Sequence, residues 1–196
     1  ALHWYQLAAA SGSSDATLNI GVLYVLGLGV KKDVPTAAEY FHKAVDRGNG
    51  TGASYLGTLN YAGIGMRQDM AAAERWYTLG QKMNDPISTY NLGSLYSTAP
   101  DHPHDAAKAA GYLRQSAETG YVPAIHSLAL LMIHHTEFAK SPQESQHLLE
   151  YAASAGYWRS SLLLGVLARD GNGMPADPKL AYYHFRVAIQ QGGKTA

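Results

Sequence analysis

The feature that most constrains this chain is a period of 36 residues that runs through its sequence. From Gly21 the interval leads to Gly57, Gly93, Ala129 and Gly165, and from Leu23 to Leu59, Leu95, Leu131 and Leu167. The first series is always small and the second always leucine. A second pair behaves alike: Ala1, Ala37, Ala73, Ala109, Ser145 and Ala181 are small, while Tyr5, Phe41, Tyr77, Leu113, Leu149 and Phe185 are large. A third series, Gly12, Gly48, Asn84, Gly120, Gly156 and Gly192, holds the two residue types that most readily take a left-handed backbone after a helix. A fixed period of this size marks stacked units, each too small to bury its own apolar face.

Each unit accommodates two helices, A and B. In the first complete unit the pattern predicts helix A over 15–26 and helix B over 35–47, with Gly48 closing it. Ser141 before Pro142 and Asp177 before Pro178 have the cap-then-proline order of a helix start. No segment requires a strand. The expectation is one all-α repeat domain: a lone helix B at 1–12, A–B repeats at 13–48, 49–84, 85–120, 121–156 and 157–192, and a tail at 193–196. Small residues facing large ones let closely crossing helices fill each other's gaps, which is a packing core and not a cofactor box.

The run Ile20-Gly21-x-x-Tyr24, followed by Ala37-x-x-x-Phe41 and Ala44, resembles the tetratricopeptide (TPR) pattern. The period of 36 looks more like its longer relative, the Sel-one-like repeat (SLR), as do the loops Gly27-x-Gly29 with Asp33, Gly63-x-Gly65 with Asp69 and Gly171-x-Gly173 with Asp177. That resemblance implies a right-handed α-α superhelix, or solenoid, with A helices on its concave side, and a non-enzymatic adaptor or scaffold role. Two repeats depart from the pattern. The third has Ala99-Pro-Asp101 and the fourth His135-Thr-Glu137 where the others carry Gly-x-Gly, so those loops must turn differently.

Helical geometry, about 100° per residue, divides helix A into two faces. Counted from its central small residue, positions minus five, minus one, plus two and plus three bury. The opposite face carries Leu18 and Val22 in the first repeat, Ser54, Thr58 and Tyr61 in the second, and Tyr90 and Ser94 in the third. His126 and Leu130 continue it in the fourth, and Arg159, Leu162 and Arg169 in the fifth. By the resemblance this face is concave. It is largely uncharged in its middle, which suits a neutral peptide or protein partner.

Fifteen basic residues balance fifteen acidic ones, so the long-range field that collects polyanions is missing and neither nucleic acid nor a helical-repeat RNA-reading role is expected. The chain has no cysteine, which removes disulfides, thiolate nucleophiles and cysteine-based zinc sites. No apolar run approaches the ~20 residues that span a bilayer, so no membrane insertion by this segment is expected. The chain opens in mid-pattern at Ala1, and an upstream segment is expected. The alternative readings are a metal site and, against the neutral charge, a helical-repeat RNA reader. His102 and His104 lie in the loop of the third repeat and His134 and His135 in that of the fourth, where stacking would bring imidazoles and carboxylates together. The Gly-x-Gly loops lack the strand and third glycine of a nucleotide fingerprint, and no Gly-x-Ser-x-Gly turn occurs. No cofactor is expected.

Overall fold

A computed structural model describes residues 1–99, 103–139, 141 and 143–192. Among the described residues there are eleven α-helices, one short 3-10 helix and no strand. The chain divides into two compact units, Ala1–His104 and Asp105–Ala196.

The first unit comprises α1 (Leu2–Ala10), α2 (Ser14–Leu26), α3 (Val34–Asp46), α4 (Gly50–Ala62), α5 (Met70–Lys82) and α6 (Pro86–Thr98). Helices α2, α4 and α6 are A helices, and α1, α3 and α5 are B helices. The starts of α2 to α6 have a chemical cause. The side chains of Ser13, Asn49 and Asp85 accept from the backbone N–H of Ala16, Gly52 and Ser88, and those of Asp33 and Asp69 accept from Thr36 and Ala72. Each such cap satisfies a donor that the first helical turn leaves unpaired. The ends are equally determined: α2 and α4 stop at left-handed Gly27 and Gly63. After α5, Asn84 takes φ 60°, the one non-glycine positive φ among the described residues.

The small-to-large pairing is direct contact. A Cβ added at Gly21 would lie 2.6 Å from the Phe41 ring, and one at Gly57 would lie 2.4 Å from Tyr77. Phe41 joins Val34, Ala37, Leu56 and Leu59 in one buried cluster. Burying each large apolar side chain contributes roughly 1.5–3 kcal/mol.

The second unit comprises α7 (Ala106–Glu118), α8 (Val122–His134), the 3-10 turn Thr136–Phe138, α9 (Glu144–Ser154), α10 (Trp158–Asp170) and α11 (Pro178–Gln190). Gly165 again lies beneath an aromatic ring, 2.5 Å from Phe185 for an added Cβ. In the fourth repeat the pair becomes Ala129 and Leu149, both fully buried with Leu164 and Leu167, so a larger A-helix residue meets a smaller B-helix one. Every member of the leucine series, Leu131 included, is buried.

The fourth repeat also corrects a sequence expectation. Ser141 does not cap α9: the helix begins at Glu144 with Gln143 at the cap position and no side-chain capping bond. Instead, the Ser141 carbonyl accepts from the Glu144 N–H at 3.1 Å, a turn that delays the helix. Pro142 lies outside the described residues, as does the tail at 193–196. Asp177 does cap α11, accepting from the N–H groups of Lys179 and Leu180.

Candidate interaction surface

The outward arc of the A helices is narrower than sequence phase alone suggests. Ser54, expected on the open face, is 3% exposed. The reason is the neighbouring A helix: Asn91 of α6 donates from its side-chain amide to the Ser54 hydroxyl at 3.1 Å, closing a seam against α4. The equivalent position in the second unit behaves alike, since His126 of α8 meets the Ser160 hydroxyl of α10 at 2.9 Å. Position minus three is therefore a junction between successive A helices, and Leu18, Tyr90 and Leu162, which share it, are half-buried.

In the first unit, Leu18 and Val22 pack against the buried cluster around Phe41. Thr58 is exposed, but its hydroxyl is engaged. It donates to the Ser54 carbonyl at 2.9 Å, which leaves it to accept from the Tyr77 hydroxyl 3.3 Å away. Burial pushes the Tyr77 phenol above its ordinary value, with the Thr58 bond opposing and nearby Tyr61 adding to the rise. Tyr61 and Ser94 are half-buried. No charged side chain occupies the exposed or half-exposed positions plus one, plus four and plus five of α4 (Thr58, Tyr61, Ala62) or of α6 (Ser94, Ser97, Thr98).

In the second unit, Leu130 and Arg159 are exposed, and Arg159 lies over the Trp158 ring at 5.1 Å. Arg169 forms a two-point hydrogen-bonded pair with its neighbour Asp170, at 2.7 and 2.9 Å. Its charge is thus matched locally. His126 also lies 5.2 Å from the Tyr157 ring, and burial, then Arg159, holds its pKa below the ordinary value.

Two of the four histidines of the metal reading have other engagements. His104 bonds the Ala99 carbonyl through Nε2 at 3.0 Å, and His135 Nδ1 lies 3.4 Å from a Glu137 carboxylate oxygen. His134 ends α8, exposed. His102 lies outside the described residues. Among the described residues no group of three or more His, Cys, Asp or Glu side chains is arranged to hold a metal ion.

A second set of junction contacts is not visible in the helical phase of any single A helix. Asn49 donates to Asp15 at 2.7 Å and Thr51 to Asp85 at 2.9 Å, both 34 residues apart like the His126–Ser160 pair. Polar pairs at an interval two short of the period were the available signal. They link corresponding starts of successive A helices.

This geometry is that of a tandem helix-pair repeat protein. The Sel1 repeat family model matches residues 1–13, 14–49, 51–84, 86–121, 123–157 and 159–193, and the chain belongs to that family. Sel1 repeats serve generally as protein–protein interaction scaffolds, typically without enzymatic activity. The uncharacterized protein NMB1327 of Neisseria meningitidis serogroup B is 28% identical over 103 residues, 53% of this chain, and this match spans 21% of that protein.

Two solved structures share the fold. A Sel1 repeat protein from Oxalobacter formigenes aligns at TM-score 0.85 and 23% identity, covering 96% of this chain and 78% of that one. The protective antigen c5321 of uropathogenic Escherichia coli, which displays an SLR fold, aligns at 0.83 and 24%, covering 97% of this chain and 41% of that one. No helix among the described residues is long and apolar enough to cross a membrane.

Proposed function

We propose that the A-helix face of the first unit holds a neutral or weakly charged polypeptide, with Tyr61 and Tyr90 as its anchors. The observation that carries this reading is the uncharged strip on α4 and α6, whose helices are held side by side by the Ser54–Asn91 bond. Aromatic rings bring large contact area at small rotamer cost, and half-buried rings are already partly ordered before a partner arrives. Val22, Thr58 and Ser94 flank them. Leu130 and Leu162 give the A face of the second unit apolar groups too, there accompanied by the charges of Arg159 and the internally paired Arg169. The mode is helix-face recognition of a peptide or helix, and it needs no chemistry beyond binding.

Tyr61→Ala and Tyr90→Ala are each expected to weaken binding of a partner retained by the wild-type chain by about 1–3 kcal/mol. Retention of that partner by affinity capture should be insensitive to added salt, because the strip is uncharged. If both variants fold and retain every partner unchanged, the face is not the binding surface.

A further inference from the structure

A groove of about 320 Å³ lies over α8 between the B helices α7 and α9. Ile125 and Leu128, both buried, form its floor, and Ala117 of α7 and Leu148 of α9 its walls. Floor and walls belong to helices that are described throughout their length. The volume stands at the lower end of the range of ligand pockets, about 300–1,000 Å³, and suits one large side chain.

Its origin is a single departure along the period. Trp4, Tyr40, Trp76 and Tyr112 form an aromatic series at intervals of 36, and Leu148 is its first aliphatic member. In the second repeat the Trp76 ring packs against the buried cluster that includes Phe41 and Leu56, and stands edge-on to His42 of α3 at 5.0 Å between centroids. His42, Leu56 and Trp76 correspond to Arg114, Leu128 and Leu148 two periods on. The chain therefore sets its own indole between two B helices in the second repeat, and in the fourth it leaves that place to a side chain without a ring. Ile125 for Ala53 adds volume to the floor and Ala117 for Val45 removes it from the wall, and the groove stays open. Close-packed interiors leave few gaps of this size.

The two ends of the groove are suited to a ring. Arg114 donates to a Glu144 carboxylate oxygen at 2.9 Å and to the Phe138 carbonyl at 2.8 Å, two bonds that fix the plane of its guanidinium. A guanidinium held in this way offers a face for stacking on an aromatic. Tyr151, 57% exposed, stands two turns further along α9, where a second ring would meet it offset or edge-on.

We propose that this groove seats an aromatic side chain of a partner polypeptide, an indole above all, laid on Ile125 and Leu128 between Arg114 and Tyr151. What the chain itself places in the equivalent gap, Trp76, identifies the occupant. An aliphatic side chain covers the same floor but uses neither the guanidinium face nor the phenol ring. This inference does not rest on the A-helix reading, which concerns other residues.

The test uses the full chain carrying ¹³C-methyl isoleucine, in which Ile125 reports on the groove and Ile20, Ile64 and Ile87 on the other unit. The protein is titrated with acetyl-Gly-Trp-Gly-amide and with the same peptide bearing Leu in place of Trp. Saturable movement of the Ile125 methyl signal is expected with the Trp peptide, at a Kd of about 1 mM or tighter, together with Overhauser contacts from the indole to that methyl. Ile20, Ile64 and Ile87 should stay still. The Leu peptide should bind roughly 2- to 10-fold more weakly, as loss of ring contacts does. Leu148→Trp, which restores the indole of the second repeat, should abolish the response while the first-unit methyl signals keep their places, and Leu148→Phe serves the same purpose if the larger ring prevents folding. The proposal is overturned if Ile125 shows no saturable shift, if the Leu peptide binds as tightly as the Trp peptide, or if a folded Leu148 variant binds the Trp peptide unchanged. It is also overturned if the isoleucines of both units shift together, because binding is then not confined to the groove.

Discussion

The second and fourth repeats start from the same template and diverge at one junction. Between α4 and α5 the chain turns through left-handed Gly63 and Gly65, and Asp69 then caps the next helix through the Ala72 N–H at 2.8 Å. Between α8 and α9 the turn passes through His135, at φ −134° and ψ 77°, and one 3-10 turn, and α9 starts late without a capping side chain. Behind both junctions the helix cores are intact, with Tyr77 over Gly57 in one and Leu149 against Ala129 in the other. The difference teaches that the period is enforced by the helix-packing residues. The loops are free to be rebuilt, and rebuilding one leaves Leu131 and Leu167 buried beneath it.

The sharpest way to break this comparison is to attack what the two repeats share. Leu59→Ala and Leu131→Ala remove equivalent side chains, 3% and 7% exposed, and each is expected to cost about 2–5 kcal/mol in urea denaturation. A loss below ~0.5 kcal/mol at Leu131 alone, within the range of surface substitutions, would mean that the fourth repeat has relaxed its core along with its loop.

A smaller effect separates the junctions themselves. Asp69→Ala removes a capping acceptor and should cost about 0.5–2 kcal/mol. Gln143→Ala removes no capping bond and should stay within about 0.5 kcal/mol of wild type. Equal losses in the two variants would show that α9 is capped after all, and the contrast would fall.

The helix order, the buried leucines and the left-handed series at Gly48, Asn84 and Gly120 were legible because each repeats at one interval and each has a local cause. The altered loops of the third and fourth repeats were legible as departures. The 3-10 turn of the fourth was not, since a turn lacking glycine has many solutions, and residues 100–102 of the third lie outside the described residues. The open face was legible only in part. Ser54 sits at 60° on the helical wheel, inside the arc that faces away from the B helices. Only the packing of a second A helix removes it from solvent, and that contact is set by tertiary geometry, outside the phase of a single helix. The same cause ties His126, read as a binding residue, to Ser160.

That tie gives the smallest and most discriminating prediction. The Ser54–Asn91 contact of the first unit joins two groups that do not titrate, whereas the corresponding contact of the second involves His126. Burial, and then the neighbouring Arg159, lowers the His126 pKa from its ordinary value of about 6.5. Between that lowered value and about 6.5 the unfolded chain binds more protons than the folded one, so stability falls as the pH falls through this window. The contribution is fully present above about 6.5. His184, half-buried in α11, is lowered in the same direction by burial and opposed by Glu150, so it leaves a residual slope of its own. Melting temperature measured from pH 8 to pH 5 should therefore drop more steeply in wild type than in His126→Gln, which keeps a polar side chain facing Ser160. Amide exchange, corrected for its intrinsic pH dependence, should loosen in α8 and α10 before it loosens in α4 and α6. Parallel melting curves for the two proteins across the window would show that His126 carries no proton-linked stability, and the chemical distinction between the two seams would be lost.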